Sequence, residues 1–561
     1  MPAMKRILAT SLTLSLLLST VGSTKALQPP DFRAVDLLPG SGSSNAFGFY
    51  RWNGWDYFAT STVDTGTLGD LWRTNGTSIE QVATDLGIRF FQDYEMRRTA
   101  FVGLGSWLYF AADDGIYGSE IWRTNGTTTS RVTDIAAGVT NGVTEYPELV
   151  VYGSYLYFAG FDTVDGNYDL YRTNGTTTTR VKNYPVGDPG YPGSFAVFDG
   201  KLYFSAETDN EGWELWRTDG TSDGTVGFDL VTGTSSSYPS YFVSFASRLF
   251  FSADGELWSL TSASAPAKVL DINSSGTAYV HSLTVVGDRL YFSAQDDSHG
   301  RELWVSTGDV TDAGSTLMVE DINPDGASSD PQHLVAFGSR VYFTASSESG
   351  RTLWSSNGLE AGTASVEGST ASVAGDPRNL VVFAGALYWN FGGGELWRTD
   401  GPSSAVRQTM LPLAFDESSL WAETFRNRLT VAGDKLYLQT EVLGAGQEFA
   451  WAQAPAAPTS TVAPTIAGTA KVSKTLTATR GAWAGLPTPG ITLQWYRCSA
   501  ASSLRPATSS VTGCVAISGA TKVTYRAVTA DKAKYLRVRV KALNESGTVY
   551  RWSSTTVKVA P

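Results

Sequence analysis

Cysteine is nearly missing from this sequence: Cys498 and Cys514 are the only two. Two thiols with no histidine nearby do not make a metal site, and in an exported chain such a pair reads most simply as one disulfide. Histidine is almost as scarce, at His281, His299 and His333, and the GxSxG string Gly220-Thr221-Ser222-Asp223-Gly224 lies in a turn that the chain repeats, not between a strand and a helix. That removes the nucleophile elbow as a route to catalysis. Charged residues make up only 17% of the chain, and no long helical period stands out. Beyond the N-terminus no apolar run approaches the ~20 residues that a membrane helix needs. The exception at the start has the form of an address label. Lys5 and Arg6 precede an apolar run from Ile7 to Val21, and Thr24 and Ala26 place small residues for a cut after Ala26. Residues 1–26 therefore read as a secretory signal peptide, and the mature protein is expected to be secreted, extracellular or associated with the cell surface, without a membrane span.

Glycine and aromatic residues are abundant, with 57 glycines and 12% Phe, Trp and Tyr. With few charges, that composition suits short strands joined by tight turns. Charge is also unevenly spread. From Pro455 onward there are 14 Lys and Arg against Asp531 and Glu545 alone, a balance of about +12. Since the whole chain carries −12, the mature region before Pro455 is near −27 once the three leader cations are set aside. Opposite balances of this size predict two domains.

The larger region repeats itself. One anchor recurs as "WLYFAA" at Trp107, "YLYFAG" at Tyr155, "KLYFSA" at Lys201 and "RLYFSA" at Arg289, nine times in all from "WDYFAT" at Trp55 to "KLYLQT" at Lys435. A second anchor follows each: Leu71-Trp72, Ile121-Trp122, Leu215-Trp216, Leu303-Trp304 and their equivalents, ending in the degenerate Glu448-Phe449. Successive tryptophan anchors are 42 to 50 residues apart. Six residues ahead of the first anchor stand Phe49, Phe101, Leu149, Phe195, Phe242, Leu283, Leu334, Leu380 and Leu429, all Phe or Leu. Each period holds four strands, a to d. Strand b is apolar on successive residues, so both its faces must be covered. Strand c ends in Asn-Gly or Asp-Gly, which predicts a type I′ hairpin with both residues at positive φ. Four strands in ~45 residues, covered on both faces, describe a propeller blade. "FRAVDLLPG" at Phe32 reads as a strand d ahead of any a, b or c, and the last copy lacks a convincing d. The prediction is an all-β propeller over 27–451, of nine blades by repeat count with eight as the alternative, closed by N- and C-terminal strands.

The phrase Glu214-Leu-Trp-Arg-Thr-Asp-Gly-Thr221, with weaker copies between residues 69 and 403, resembles the ELWxxDGT repeat of secreted bacterial proteins. That resemblance implies a repetitive extracellular β protein and supplies no catalytic residues. After an Ala/Pro/Thr-rich stretch at 452–463, expected to be a linker, residues 464–561 carry "LQWYRC", "CVAISGATKVTY" and "KYLRVRVKALNESG". They resemble the bacterial immunoglobulin-like repeats attached to secreted proteins. A β-sandwich is expected, with Trp495 in its core and the Cys498–Cys514 link stapling a loop instead of joining two sheets.

Candidate sites fall into three groups. The tryptophan column could stack sugars, but its recurrence at one strand position favours packing between blades. Carboxylates gather between strands b and c: Asp113, Asp114 and Glu120; Asp162, Asp165 and Asp169; Asp296, Asp297 and Glu302. Carboxylates and turn carbonyls can hold calcium, while turns favour Asp in any case; calcium is the one cofactor considered. At the start of strand a, which lines a propeller's channel, stand Glu145, Tyr146 and Glu148, then His281, His333, Arg378, Arg426 and Arg428. Together they could crown one channel mouth and bind an anionic ligand. The sequons at Asn75, Asn125 and Asn174 coincide with required turns. No base-stacking motif points to nucleic acid. The function expected is non-catalytic binding or adhesion, toward a glycan, an anionic cell-envelope polymer or an extracellular protein. The rivals are a polysaccharide hydrolase or lyase with its site at the channel mouth, and a structural envelope component.

Overall fold

The computed structural model describes residues 32–37, 43–60, 69–89, 100–144, 147–368, 376–390, 396–402, 406–407, 429–442, 446–486, 488–544 and 546–561. The expected signal peptide lies outside them. No α-helix occurs among the described residues, and no helix is long and apolar enough to cross a membrane. The chain divides into two compact units, 1–452 and 453–561.

The first unit is propeller-like: nine antiparallel sheets follow one another along the chain, each ordered a-b-c-d. In the fourth, Gly190–Phe198, Lys201–Thr208, Gly212–Thr218 and Val226–Phe228 pair in sequence. The second sheet gains a fifth strand, Gly87–Arg89, beside the far half of Trp107–Asp113. In the ninth, the outer place is taken by Arg33–Val35, which pairs with Phe449–Trp451.

Strand b shows why its apolar residues are consecutive. Leu202, Phe204 and Ala206 pack with Tyr157, Leu170 and Val181 of the third sheet, in the cluster that also holds Trp216. Tyr203 points the other way and joins Leu215 with Leu249 and Phe251 of the fifth sheet. Alternate residues of one strand thus fill alternate interfaces. The tryptophan column packs between sheets, as its periodicity requires, and Lys182 of the third sheet lies 5.2 Å from the Trp216 ring.

The turn after strand c differs from the expectation. Asn75, Asn125, Asn174 and Asp219 are not among the left-handed residues; only the glycine is, at +89° for Gly76 and +94° for Gly220. The loop has four residues between paired Thr74 and Ile79. Asn75 Oδ1 accepts the backbone N–H groups of Thr77 and Ser78, at 2.8 and 2.9 Å. The side chain therefore shapes the turn, which is not type I′. The glycine also meets the preceding sheet: a Cβ on Gly220 would stand 2.6 Å from Tyr157 Oη and 2.8 Å from Arg172 Nη1. That arginine in turn lies 4.3 Å over the Tyr155 ring.

First and last sheets meet through a charged cluster. Asp56 occupies the strand-b position that holds Leu or Val in the other eight copies, and its side chain is fully enclosed. Its carboxylate accepts from Tyr437 Oη at 2.6 Å and pairs with Lys435 Nζ at 3.0 Å and with Arg51. Burial and Asp56 push the Tyr437 hydroxyl far above its ordinary pKa. Phe49 stacks on Tyr437 with ring centroids 4.0 Å apart.

The second unit is also all-β, with sheets of two, three and four strands. Trp495 is fully buried among Leu476, Leu493, Leu536, Val538 and Val540. The Cys498–Cys514 disulfide joins directly paired residues of adjacent strands in one sheet. The expected linker at 452–463 is in part a strand: Ala456–Val462 pairs with Ala482–Leu486. It lies at the edge of a two-stranded sheet, where Pro458 is tolerated because edge strands can spare a donor.

Candidate functional site

Antiparallel order sorts the connections of the first unit onto two rims. The a–b and c–d turns share one; the b–c hairpins and the d–a connections share the other. The described carboxylates and basic residues expected from sequence to form sites in the first unit fall on this second rim or just inside it.

The carboxylates expected to hold calcium do not converge there. Asp113 and Asp114 cap their own hairpin, accepting from Gly115 N–H at 2.8 Å and from Ile116 and Tyr117 N–H at 3.0 Å. Asp296 accepts from Ser298 and His299 N–H and from His299 Nδ1 at 2.8 Å. Asp297 accepts from Ser275 N–H and Ser274 Oγ, and hydrogen bonding from the Ser275 and Ser274 side chains and the Ser275 backbone holds its pKa down at about 2. Glu120 and Glu302 point inward, away from their neighbours in sequence. Each is an internal latch: Glu302 is fully buried and takes Ile322 N–H at 3.1 Å, Ser329 N–H at 2.9 Å and Ser329 Oγ at 2.5 Å. Glu120 holds Thr133, Ile135 and Ala136 in the same way, and Glu214 holds Leu230 and Ser237. The Glu of the repeated phrase thus fixes the d–a connection. Burial pushes Glu302 and Glu448 up to about 7, against the pull of these hydrogen bonds. Among the described residues only Asp162, Asp165 and Asp169 bring three ligand atoms together, and Arg180 Nη1 already stands among them at 2.5, 3.1 and 3.1 Å.

Of the residues expected at the channel mouth, Glu145, Tyr146, Arg426 and Arg428 lie outside the described residues. Glu148 spans to the next inner strand, accepting Ser194 N–H at 2.6 Å and Phe195 N–H at 3.1 Å. It is an inter-sheet tie. His281 and Arg378 open the inner strands of the sixth and eighth sheets at equivalent positions, facing Ser293 and Asn390. His333 fills the bulge of the seventh, at φ +56°. His281 Nδ1 lies 2.8 Å from Ser282 Oγ, and its ring 6.3 Å from Tyr241. The three basic residues do stand on consecutive inner strands. A glycosidase site would need paired carboxyls, one of them raised, at this mouth. The carboxyls raised to about 7 are the enclosed latches of separate sheets.

A set of residues not anticipated from sequence lines the same rim. Tyr191, Tyr238 and Tyr279 stand at equivalent places of consecutive inner strands, two residues ahead of Gly193, Ser240 and His281, which pair with Ser205, Ser252 and Ser293. They are 42%, 64% and 53% exposed. All three hold left-handed backbone, at φ +47°, +49° and +52°, as do Asn45 and Asp330 at the equivalent places of the first and seventh sheets, so the conformation belongs to the repeat. Between the first two lies Trp213, the second residue of strand c of the fourth sheet: its ring is 6.3 Å from Tyr191 and 6.4 Å from Tyr238, at 25° and 24° to them. Tyr168, the equivalent residue of the third sheet, is 4.3 Å from Tyr191 and 5.0 Å from Phe161. Further along, Gly255 leaves a gap in the row, and Arg301 lies 5.4 Å over Tyr279 while pairing with Asp330 at 2.8 Å. The rim thus carries an aromatic arc over the third to fifth sheets that gives way to an Arg–Asp stretch. The sequence held a signal for it, a tyrosine four residues ahead of the recurring Phe or Leu in three successive repeats, at Phe195, Phe242 and Leu283.

No protein-family model matches the chain, and no curated protein matches it. Solved structures do show a likeness. A computationally designed protein, Ika8, is 12% identical with a TM-score of 0.36, over 65% of this chain and 98% of that one. BamB from Moraxella catarrhalis is 12% identical with a TM-score of 0.34, over 76% and 100%. A puromycin-hydrolyzing peptidase of Mycobacterium tuberculosis is 11% identical with a TM-score of 0.35; the chain matches over 67% of its own length and 63% of the peptidase's.

Proposed function

We propose that the protein is an exported, non-catalytic binding module: a closed nine-bladed propeller, completed by its N-terminal strand, that offers one rim to an extracellular glycan or envelope polymer and carries an immunoglobulin-like tail. The observation that carries this reading is the aromatic arc from Tyr168 to Tyr238, exposed at Tyr191 and Tyr238 and half-buried at Tyr168 and Trp213. Single exposed apolar residues need no explanation, whereas a contiguous row of rings marks an interaction surface. Tyrosine and tryptophan give large, stiff contact area with little rotamer entropy to lose. Supporting it, the repeated residues are spent on packing, turns and latches, so what varies between blades is concentrated on this rim. The resemblance to ELWxxDGT-repeat proteins and the leader-like N-terminus agree with export.

The test is a screen of the purified full chain against bacterial cell walls, an array of glycans and extracellular proteins, with calcium and with chelator. Retention on at least one surface or polymer is expected. Retention on none would end the proposal, and release of reducing sugar from a bound polymer would replace it with an enzyme.

A further inference from the structure

We infer that the arc Tyr168–Tyr191–Trp213–Tyr238 binds an uncharged polysaccharide, one chain of which lies along the circumference of the rim. This rests on the reading of the protein as a binding module and narrows its ligand to one chemical class.

The chemistry of the arc selects a sugar. A pyranose has flat C–H faces and a hydroxyl edge, so it needs ring faces beneath it and hydrogen-bonding groups beside it. Both are present. The rings run in a row with near-parallel planes around Trp213. Carboxylates flank them: Asp188 accepts the N–H of Asp209 at 3.0 Å in the neighbouring hairpin, and Glu207 pairs in register with Trp213. Burial and Asp209 raise the Glu207 carboxyl while the Trp213 side chain opposes the rise by hydrogen bonding to it, so this acid is coupled to the arc itself.

Charge excludes the alternatives. With Asp188, Glu207, Asp209 and Glu211 beside Tyr191 and Trp213, an anionic chain would be repelled. Nucleic acid, which also stacks on aromatic platforms, needs a basic groove that this stretch lacks. Repetition points to a polymer. Tyr191, Tyr238 and Tyr279 are the same side chain in the same left-handed conformation, once per sheet. A surface that repeats at regular intervals fits a ligand that does the same, which a sugar homopolymer does and a folded protein partner does not.

The experiment is affinity electrophoresis of the full chain in gels containing hydroxyethylcellulose, laminarin, galactomannan or pullulan, with alginate and chondroitin sulfate as the anionic arms. At least one neutral polymer is expected to retard the protein, and its hexasaccharide to compete better than its disaccharide. Trp213→Ala and, separately, the exposed Tyr238→Ala are each expected to weaken retardation about tenfold, with the unfolding temperature lowered by no more than a few degrees. Retardation by the anionic polymers alone overturns the inference. So does neutral retardation undiminished in both variants. If no neutral polymer binds while a cell wall or protein is still retained in the broader screen, the sugar assignment falls and the binding module stands; if nothing is retained anywhere, both fall.

Discussion

At the residue scale, single side chains serve two neighbours at once. Gly220 allows a left-handed turn and leaves room for Tyr157 and Arg172 of the adjoining sheet. Gly220→Ala is expected to cost about 2–3 kcal/mol, strain plus displaced packing. Gly200→Ala, at φ +70° with open space around it, should cost only about 1 kcal/mol. Denaturant unfolding of the two variants checks the difference. The latch glutamates make a second prediction. In the folded protein Glu302 and Glu448 titrate near 7 against an ordinary 4.5, so between those values the native state binds more protons than the unfolded one. Their contribution to stability is fully present below about 4.5 and is lost as pH rises through about 7. The unfolding temperature should therefore rise as pH is lowered from about 8 to about 5, and Glu302→Gln should flatten that rise.

At the element scale, strand c of the fourth sheet shows how closely display and packing can be set. Trp213 stands second in the strand, on the rim, and Trp216 lies inside. Trp216→Ala is expected to destabilise by about 3–5 kcal/mol. Trp213→Ala should cost about 1 kcal/mol or less, since it leaves no comparable cavity. Calorimetry on the pair distinguishes them. Elements like strand b were legible in the sequence because a strand covered on both faces must be apolar throughout. The Asn-Gly turn was legible as a turn but not in its geometry, since an Asn side chain can accept backbone N–H groups and thereby do what positive φ would have done. The inward direction of Glu120 and Glu302 was not legible either: sequence set them beside hairpin aspartates, and the pleat turned them to the opposite side. The aromatic arc hid for a related reason. Its members come from two different connections, and only register brings Tyr191, Trp213 and Tyr238 together.

At the scale of the whole molecule, the repeat count and the stray first strand were readable, while the means of joining the ends was not. Asp56 breaks the pattern of Leu and Val, and only its partners 379 and 381 positions away explain it. Asp56→Leu would leave the Lys435 ammonium buried without its main partner, and a loss of about 3–5 kcal/mol is expected. The double variant Asp56→Leu, Lys435→Leu should recover much of that loss, because a buried pair replaced by apolar side chains is often neutral; guanidinium unfolding of both measures it. Glu448 reaches still further, holding the N–H of Leu37 across 411 positions. Synthesis from the N-terminus makes the strand Arg33–Val35 first, yet its partner Phe449–Trp451 is almost the last part of the unit to be made. Whatever order the inner sheets adopt, the opening strand must wait with its hydrogen-bonding edge unmatched until some four hundred further residues have emerged from the ribosome.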